Sequence, residues 1–257
     1  EIRGLGTEVP PFSPDVSKAH QVHALGAAAL ERFGAPHLVF NNAGVSVGGL
    51  VWEHSAQDWA WCLGVNVMGV AHGVRVFVPM MLAAAAADPG YEGHVVNTAS
   101  MAGLVNPPNM GAYNVSKHAV VSLSETLYQD LALVTDRVGA SVLCPFFVPT
   151  AISESHRNRP AELAAGPATA SQRAAQAMFG KAVESGKVSA AEVAARVFDA
   201  LREKRFYIYS HPKALDSVRT RMEDVLQARN PSDPFAGKPE IRAALRDSLH
   251  ASPKQAR

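Results

Sequence analysis

Four short runs rich in Val, Leu, Ile and Phe occur along the chain, at residues 37–41, 94–99, 140–145 and 206–210. Near-continuous apolar runs of this length are typical of strands buried on both faces of a parallel sheet. Helical spacing of apolar residues fills the longer stretches around them, at 15–33, 56–87, 111–136, 171–186, 189–203 and 212–228. Strands that alternate with long helices indicate βαβ units, so the pattern predicts an α/β protein.

Length and composition fit one domain of this class. The chain has 257 residues, enough to bury a large core. Hydrophobic residues make up 47% and charged residues 18% of the sequence, a balance that argues against disorder. The net charge of +1 gives no general attraction to nucleic acid or acidic lipid, so we expect no nucleic-acid partner and no membrane partner.

Two features of the sequence bear on its compartment. The cysteines are Cys62 and Cys144, too few for a disulfide framework, so they indicate a reducing compartment and a cytoplasmic protein. The longest apolar stretch, residues 60–87, contains Asn66 and Arg75. Polar groups are costly in lipid, so we interpret this stretch as a core helix and not as a membrane span.

Histidine spacing gives no metal site. His20 and His23 are three residues apart in a helical pattern. Zinc needs three or four ligands, and no other His or Cys groups with these two, so we expect no metal.

Tyr113 and Lys117 are the most informative pair in the sequence. They stand four residues apart at the start of a stretch without Pro or Gly, residues 112–138. Positions i and i+4 lie on one face of a helix, so a phenol and an ammonium would be held side by side. A nearby cation lowers a tyrosine pKa from about 10, towards the range in which general acid/base catalysis works best. The pair therefore predicts a proton-transfer residue; the alternative is a surface tyrosine beside a solvated lysine.

A second pair with the same spacing, Tyr209 and Lys213, has a different context. Tyr209 ends a strand-like run, and Pro212 lies between the two. No helical face brings these side chains together, so we give the second pair no catalytic role.

Four further segments extend the pattern around Tyr113. An apolar run ends in Asn41-Asn42-Ala43-Gly44, a helical stretch carries Asn66, a second strand ends in Ser100, and a third runs into Cys144–Thr150. In this order the segments resemble the short-chain dehydrogenase/reductase family over about residues 15–209. The resemblance implies a Rossmann-like, doubly wound parallel sheet that is N-terminally truncated.

The resemblance also implies catalytic roles. Tyr113 would be the acid/base, and Ser100 would hydrogen-bond the substrate oxygen. Lys117 would bind the nicotinamide ribose and lower the Tyr113 pKa, and Asn66 would hold a water that links Lys117 to solvent. A helix-cap serine is the alternative for Ser100, and a buried amide bridging helix and strand is the alternative for Asn66.

The implied cofactor is NAD or NADP, and the sequence does not choose between them. Asp15 and Val16 would border the adenine, the turn after the first strand would shape the cleft, and Thr150 would reach the carboxamide. The implied cofactor-binding residues are Asp15, Val16, Asn42, Ala43, Gly44, Tyr113, Lys117, Pro145 and Thr150.

Two departures from the family pattern stand out. The glycine-rich loop TGxxxGxG, which lets the backbone approach the pyrophosphate, is absent from the sequence. We therefore expect about 50 residues, more than one βαβ unit, to be missing from the N-terminus. In the usual strand order the segment at 7–16 would then have no neighbour, and the run at 37–41 would be an exposed apolar edge. The second departure is Phe146, which takes the place of the family's glycine after Pro145.

We expect one Rossmann-like domain over residues 1–257. Within it, residues 1–14 would be the remnant of the N-terminal half, 151–188 a substrate lid and 230–257 a loosely held C-terminal tail with one short helix. The lid is expected because the polar stretch at 151–170 follows a strand end, where ligands bind in open α/β sheets. A plain surface connection is the alternative.

The expected function is hydride transfer between a nicotinamide cofactor and a carbonyl or secondary alcohol. Flanking apolar residues suit an apolar small-molecule substrate, alicyclic or steroid-like; they are Met101, Leu104, Val105, Met110, Phe146 and Phe147. The helices at 56–87 and 111–136 resemble those that pair subunits in the family, which implies a homodimer or homotetramer. The alternatives are a catalytically inert truncated protein and a scaffold or dimerisation module.

Cofactor binding separates the enzyme from both alternatives. A competent chain is expected to bind NADH or NADPH in a fluorescence titration, because the residues for the nicotinamide half are present. No binding at millimolar cofactor would favour the inert chain or the scaffold, which light scattering would then distinguish by size.

Overall fold

The computed structural model describes Gly6, Glu8 and residues 12–250. Within these residues, the strands form one parallel sheet in the order β1-β2-β3-β4. The strands are Leu38–Asn41 (β1), Gly93–Thr98 (β2), Val138–Cys144 (β3) and Tyr207–Tyr209 (β4). All four expected strands are confirmed, as is the parallel α/β class.

Eight α-helices lie before, between and after the strands in the described part of the chain. They are Ala19–Phe33 (α1), Ala56–Leu63 (α2), Gly69–Ala87 (α3), Gly111–Val134 (α4), Ala170–Glu184 (α5), Ala190–Arg202 (α6), Leu215–Leu226 (α7) and Pro239–His250 (α8). Helix α1 begins later than the pattern predicts. The carboxylate of Asp15 accepts hydrogen bonds from the backbone N–H and the hydroxyl of Ser17, 3.0 and 2.7 Å long, and holds the preceding residues in a turn.

Helices cover both faces of the sheet. On one face α3 and α4 bury Met81, Val120 and Leu131 against the strands, with α1 packed outside α3. Helix α7 packs on the α4 side of the same face. On the other face α6 packs Val193 and Val197 against β3 and β4. Apolar side chains on both faces explain why the strands are nearly continuous apolar runs.

The long apolar stretch is a core element. Residues Ala56–Ala87 reach a mean hydropathy of 1.6, enough by length and composition for a membrane span. In the fold this stretch is divided into α2, a π-helical turn at Gly64–Met68 and α3. Val70, Phe77 and Met81 face the sheet core, which matches the interpretation as a core helix.

Strand β1 is the edge of the described sheet. Phe40 on β1 is 45% exposed and meets Phe198 of α6 edge-on, with ring centroids 6.5 Å apart. Within the segment expected to lack a neighbour, 7–16, residues 7 and 9–11 fall outside the described residues. Residues 12–15 within it have no regular secondary structure.

A row of side-chain hydrogen bonds, referred to below as a relay, joins β1, β2 and α4. The Asn41 amide donates to the Asn97 carbonyl oxygen at 2.8 Å, and the Asn97 amide donates to the Ser124 hydroxyl at 3.0 Å. Gly73 of α3 lies against the first member of this relay. A Cβ at Gly73 would sit 2.0 Å from the Asn41 Oδ1 atom. The close approach of α3 to β1 therefore requires glycine at this position.

Two glycine-to-alanine substitutions in helices should have opposite effects. Gly73→Ala must displace Asn41, so we expect a loss of roughly 1–3 kcal/mol of unfolding free energy. Gly180→Ala in α5 meets no atom within 4 Å, so better helix propensity should add up to about 1 kcal/mol. Denaturant unfolding measures both, and equal effects of the two variants would contradict the packing described for Gly73.

Candidate active site

A cleft of about 1230 Å³ lies beyond the carboxyl ends of the strands. Ligands bind in this place in open α/β sheets. It brings together residues from β1, β2, β3 and α4 that are far apart in sequence. Those expected from the sequence that line it are Asn42, Gly44, Ser100, Tyr113, Lys117, Pro145 and Thr150.

Tyr113 and Lys117 lie in the first two turns of α4. This helix begins at Gly111, and both side chains are buried, with 7% and 4% of each residue exposed. The Lys117 Nζ atom lies 5.7 Å from the centre of the Tyr113 ring and donates a 2.9 Å hydrogen bond to the Thr98 carbonyl oxygen. The one-turn spacing thus places the ammonium beside the phenol, with the end of β2 fixing its position.

Ser100 follows β2 and faces the same cleft. Its hydroxyl accepts a 3.1 Å hydrogen bond from the Ala102 backbone N–H and caps the 3₁₀ turn Met101–Gly103. The hydroxyl also lies 3.4 Å from the Pro145 carbonyl oxygen, a long hydrogen bond. The capping role weighed for Ser100 is therefore present in the structure, and it holds the hydroxyl at the cleft wall.

Burial dominates the acidity of both catalytic candidates. It raises the pKa of the Tyr113 phenol to about 12, while the neighbouring Ser100 hydroxyl offsets part of the rise. It lowers the pKa of the Lys117 ammonium to about 8. The net shift of the Tyr113 pKa is therefore upward, opposite to the lowering expected from the pair, because removal of the phenol from water penalises its phenolate form.

Asn66 lies in the π-helical turn, is fully buried and does not line the cleft. Its Oδ1 atom accepts from the Val45 N–H at 2.8 Å. Its Nδ2 atom donates to the Val45 carbonyl oxygen at 3.0 Å and to the Ser116 hydroxyl at 2.9 Å. The amide thus bridges the turn, the segment after β1 and α4, which is the structural alternative weighed for this residue. Short π-helical segments are frequent at functional sites.

Three residues expected at the cofactor lie outside the main cleft. Val16 and Ala43 line a second cavity of about 280 Å³ beside β1, which shares Asn42 with the main cleft. Asp15 lines neither cavity, since its carboxylate holds the turn before α1. The structure therefore groups the residues assigned to the nicotinamide half and sets the two assigned to the adenine apart from them.

The stretch at 151–170 is tied to α2 by a buried ion pair. The Arg159 Nη1 atom donates to the Asp58 Oδ1 atom at 2.6 Å, and the Arg159 guanidinium lies 5.0 Å from the centre of the Trp61 ring. Burial raises the pKa of the Asp58 carboxyl, but hydrogen bonds from Arg159 and Ser55 outweigh it and hold the pKa below its usual value. This contact spans about a hundred residues of sequence and no local pattern indicates it.

A second group of hydrogen bonds holds the end of the 151–170 stretch to Glu53. The Glu53 Oε2 atom accepts hydrogen bonds from the hydroxyls of Thr169 and Ser171, each 2.6 Å long. These hydrogen bonds lower the pKa of the Glu53 carboxyl. The segment expected as a lid, residues 151–188, is thus tied down at Arg159 and at Thr169 and Ser171 in this structure.

The C-terminal region forms a further wall that the sequence did not indicate. Residues 231–235 line the cleft beside α7. Buried Asp224 accepts hydrogen bonds from the backbone N–H and hydroxyl of Ser232, 2.9 and 3.2 Å long. Helix α8 packs on α5 and buries Leu245. The expected tail therefore contains the short helix and also supplies part of the site.

The apolar walls agree in large part with the expectation. Met101, Val105, Met110, Phe146 and Phe147 line the cleft, and Leu104 is buried behind them. Phe179 of α5 adds a ring 6.3 Å from that of Tyr113, which the sequence did not suggest. Phe146 is 43% exposed and lies against Phe147, with ring centroids 4.3 Å apart.

The residues present fit the nicotinamide half of the implied cofactor. A Cβ added at Gly44 would lie 3.5 Å from both the Asn66 Oδ1 and the Lys117 Nζ atoms. Glycine therefore leaves open the space beside an ammonium that has donor capacity beyond its bond to Thr98. A polar ribose suits this position, with the Tyr113 and Ser100 hydroxyls on the same wall.

Comparison with known proteins finds a matching family model and similar dehydrogenases. The family model for short chain dehydrogenases matches residues 1–161. The CLA biosynthesis dehydrogenase/reductase of Lactiplantibacillus plantarum is 31% identical over 88% of this chain and 78% of its own length. The C alpha-dehydrogenase of a Sphingobium species is 26% identical over 95% of this chain and 78% of its own length.

A solved structure is more similar. A short chain dehydrogenase/reductase from Burkholderia phymatum, in complex with NAD, is 55% identical and has a TM-score of 0.88. The match covers 91% of this chain and 82% of that one. The comparisons do not confirm that a glycine-rich unit is missing from the N-terminus, so that expectation stays a prediction.

Replacement of Lys117 should stabilise the fold. A pKa lowered from 10.5 to about 8 corresponds to about 3 kcal/mol of cost for keeping the ammonium charged in the folded chain. The lost hydrogen bond to Thr98 removes about 1 kcal/mol of the gain. We therefore expect Lys117→Met to raise the unfolding free energy at pH 7 by about 2 kcal/mol.

The pH dependence gives an independent check. Between about pH 8 and 10 the unfolded chain holds more protons on Lys117 than the folded chain does, so wild-type stability gains from this site as pH rises. The advantage of Lys117→Met should therefore shrink across this window. Lys213→Met, at an exposed lysine, is the control and should change little. A less stable Lys117→Met protein at pH 7 would contradict the pKa assigned to Lys117.

Proposed function

Since the chain belongs to the short chain dehydrogenase family, we propose that Ser100, Tyr113 and Lys117 carry its chemistry. The chain is an NAD(P)-dependent oxidoreductase. The observation that carries the residue assignment is the burial of Tyr113 and Lys117 side by side, at the wall of the cleft that Ser100 also lines. The proposed reaction interconverts a carbonyl and a secondary alcohol.

Tyr113 is the proton donor in the reducing direction. With a pKa raised to about 12, its phenol is protonated at neutral pH and can release a proton only as negative charge develops on the substrate oxygen. A bound nicotinamide supplies the hydride to the carbonyl carbon or accepts it in the reverse direction. The proton from Tyr113 completes the hydroxyl group, so one C–H and one O–H bond form as the C=O double bond becomes single.

Ser100 and Lys117 support this proton transfer in different ways. The Ser100 hydroxyl is held at the cleft wall by its contacts to Ala102 and Pro145 and can hydrogen-bond the substrate oxygen. Fixed donors aimed at developing charge stabilise a transition state without reorganisation. The Lys117 ammonium, 5.7 Å from the Tyr113 ring, stabilises the phenolate that remains after the transfer. Its pKa of about 8 allows it to return a proton near neutral pH.

Asn66 is a positioning residue in this proposal. It fixes the segment after β1 and the Ser116 hydroxyl, one residue before Lys117. It therefore supports the floor of the cleft beneath the ammonium. Asn42, Gly44, Pro145 and Thr150 complete the cofactor side of the proposal, because all four line the same cleft.

Substrate class, assembly and compartment are proposed on separate grounds. Phenylalanine and methionine side chains around Tyr113 favour an apolar substrate. Leu133 and Val134 are exposed at the end of α4, which supports a homodimer or homotetramer. Both cysteines are free and buried, which supports a cytoplasmic protein.

Removal of the Tyr113 hydroxyl tests the proposal. Tyr113→Phe should lower turnover by about 10²- to 10⁴-fold, the usual contribution of general acid catalysis. NADH binding and the unfolding midpoint should stay close to wild type, because the aromatic ring and its packing remain. Tyr128→Phe, at an exposed tyrosine of the same helix, is the matched control and should keep full activity. A Tyr113→Phe enzyme with undiminished turnover would remove Tyr113 from the mechanism.

A further inference from the structure

Three arginines line the cleft, and one differs from the others in its partners. Arg157 donates to the Glu154 carboxylate at 2.8 Å, and Arg229 lies 3.0 Å from the Asp224 carboxylate. Arg221 is half-buried and makes neither an ion pair nor a side-chain hydrogen bond with residues 12–250. A cleft arginine that has no carboxylate partner among these residues can pair with the carboxylate of a ligand.

In the order of the strands, Arg221 lies on the side of the site away from Asn42 and Gly44. Asn42 and Gly44 follow β1, Ser100 follows β2, and the Phe146 segment follows β3. Helix α7, which carries Arg221, follows β4 and packs on the α4 side of the sheet. Ser100 therefore lies between Asn42 and Gly44 on one side and Arg221 on the other, which supports a place for the guanidinium on the substrate side of Ser100.

The cleft that Arg221 lines contains many apolar side chains. Phe146, Phe147 and Phe179 line the cleft, and Val225 and Phe235 line it near the C-terminal wall. The nearby Asp224 carboxylate is already bound by Ser232 and Arg229. A substrate in this cleft would meet apolar rings along its body and the Arg221 guanidinium, which has no carboxylate partner among residues 12–250.

We propose that the substrate is an apolar carbonyl or secondary alcohol that carries a carboxylate, and that Arg221 binds this carboxylate. The planar guanidinium matches a carboxylate through two parallel hydrogen bonds, which fixes orientation as well as charge. The inference rests on the proposed function, because it orients the reacting carbon towards Ser100 and Tyr113. Oxo or hydroxy carboxylic acids with an apolar body are the substrate class that follows.

Matched acid and ester substrates test the inference. Wild-type enzyme is assayed with a series of oxo acids of increasing chain length and with their methyl esters, which differ only in the charge. The acids should have the higher kcat/KM. Arg221→Gln should raise KM for the acids by about 10-fold or more and leave the esters unchanged, because charge-assisted hydrogen bonds are lost only with the acids. Arg221→Lys should recover part of the loss.

Two controls distinguish a failure of this inference from a failure of the proposed function. Arg219→Gln, at an exposed residue of the same helix, should change neither substrate series. Arg221→Gln should bind NADH and NADPH as wild type does; weaker cofactor binding would mean that Arg221 holds a cofactor phosphate and would overturn the inference. Equal loss with acids and esters, or a wild-type enzyme that prefers esters, would also overturn it. Full activity of Tyr113→Phe would instead overturn the proposed function.

Discussion

The site depends on a lysine kept in the protein interior. Lys117 is 4% exposed, and burial lowers the pKa of its ammonium to about 8. The fold accepts this cost because the end of β2 offers the Thr98 carbonyl oxygen, and Gly44 leaves space on the open side of the ammonium. The Tyr113 ring, one helical turn away, completes the surroundings. Strand end, helix start and glycine turn are thus each required for one charge to face the cleft.

Local patterns were sufficient for the elements and for the central pair. Apolar runs predicted all four strands within one or two residues, since both faces of a parallel strand are buried and leave little choice of residue. The four-residue spacing of Tyr113 and Lys117 placed both side chains on one helix face, because α-helical geometry is fixed by the backbone. The order of strand ends then placed Ser100 and Asn42 at the same edge of the sheet.

Properties that depend on distant residues could not be predicted in the same way. The direction of the Tyr113 pKa shift was wrong because burial depends on Phe179 and other residues from remote parts of the chain. The pairing of Arg159 with Asp58 joins segments that no periodicity relates. Arg221 lacks any sequence signal, since only the fold shows that the other cleft arginines have carboxylate partners and that this one has none within residues 12–250.

The ties between residues 151–172 and α2 have a mechanical consequence. Helix α2 holds Arg159 through Asp58 at one end and runs into the π-helical turn of Asn66 at the other. Asn66 in turn hydrogen-bonds the backbone after β1 and the residue next to Lys117. Residues 151–172 and the floor of the cleft are therefore mechanically connected through α2. A displacement of residues 151–172 large enough to admit a bulky molecule would tilt α2 and shift the Lys117 ammonium. Entry of the substrate would thus be coupled to the alignment of the reacting groups.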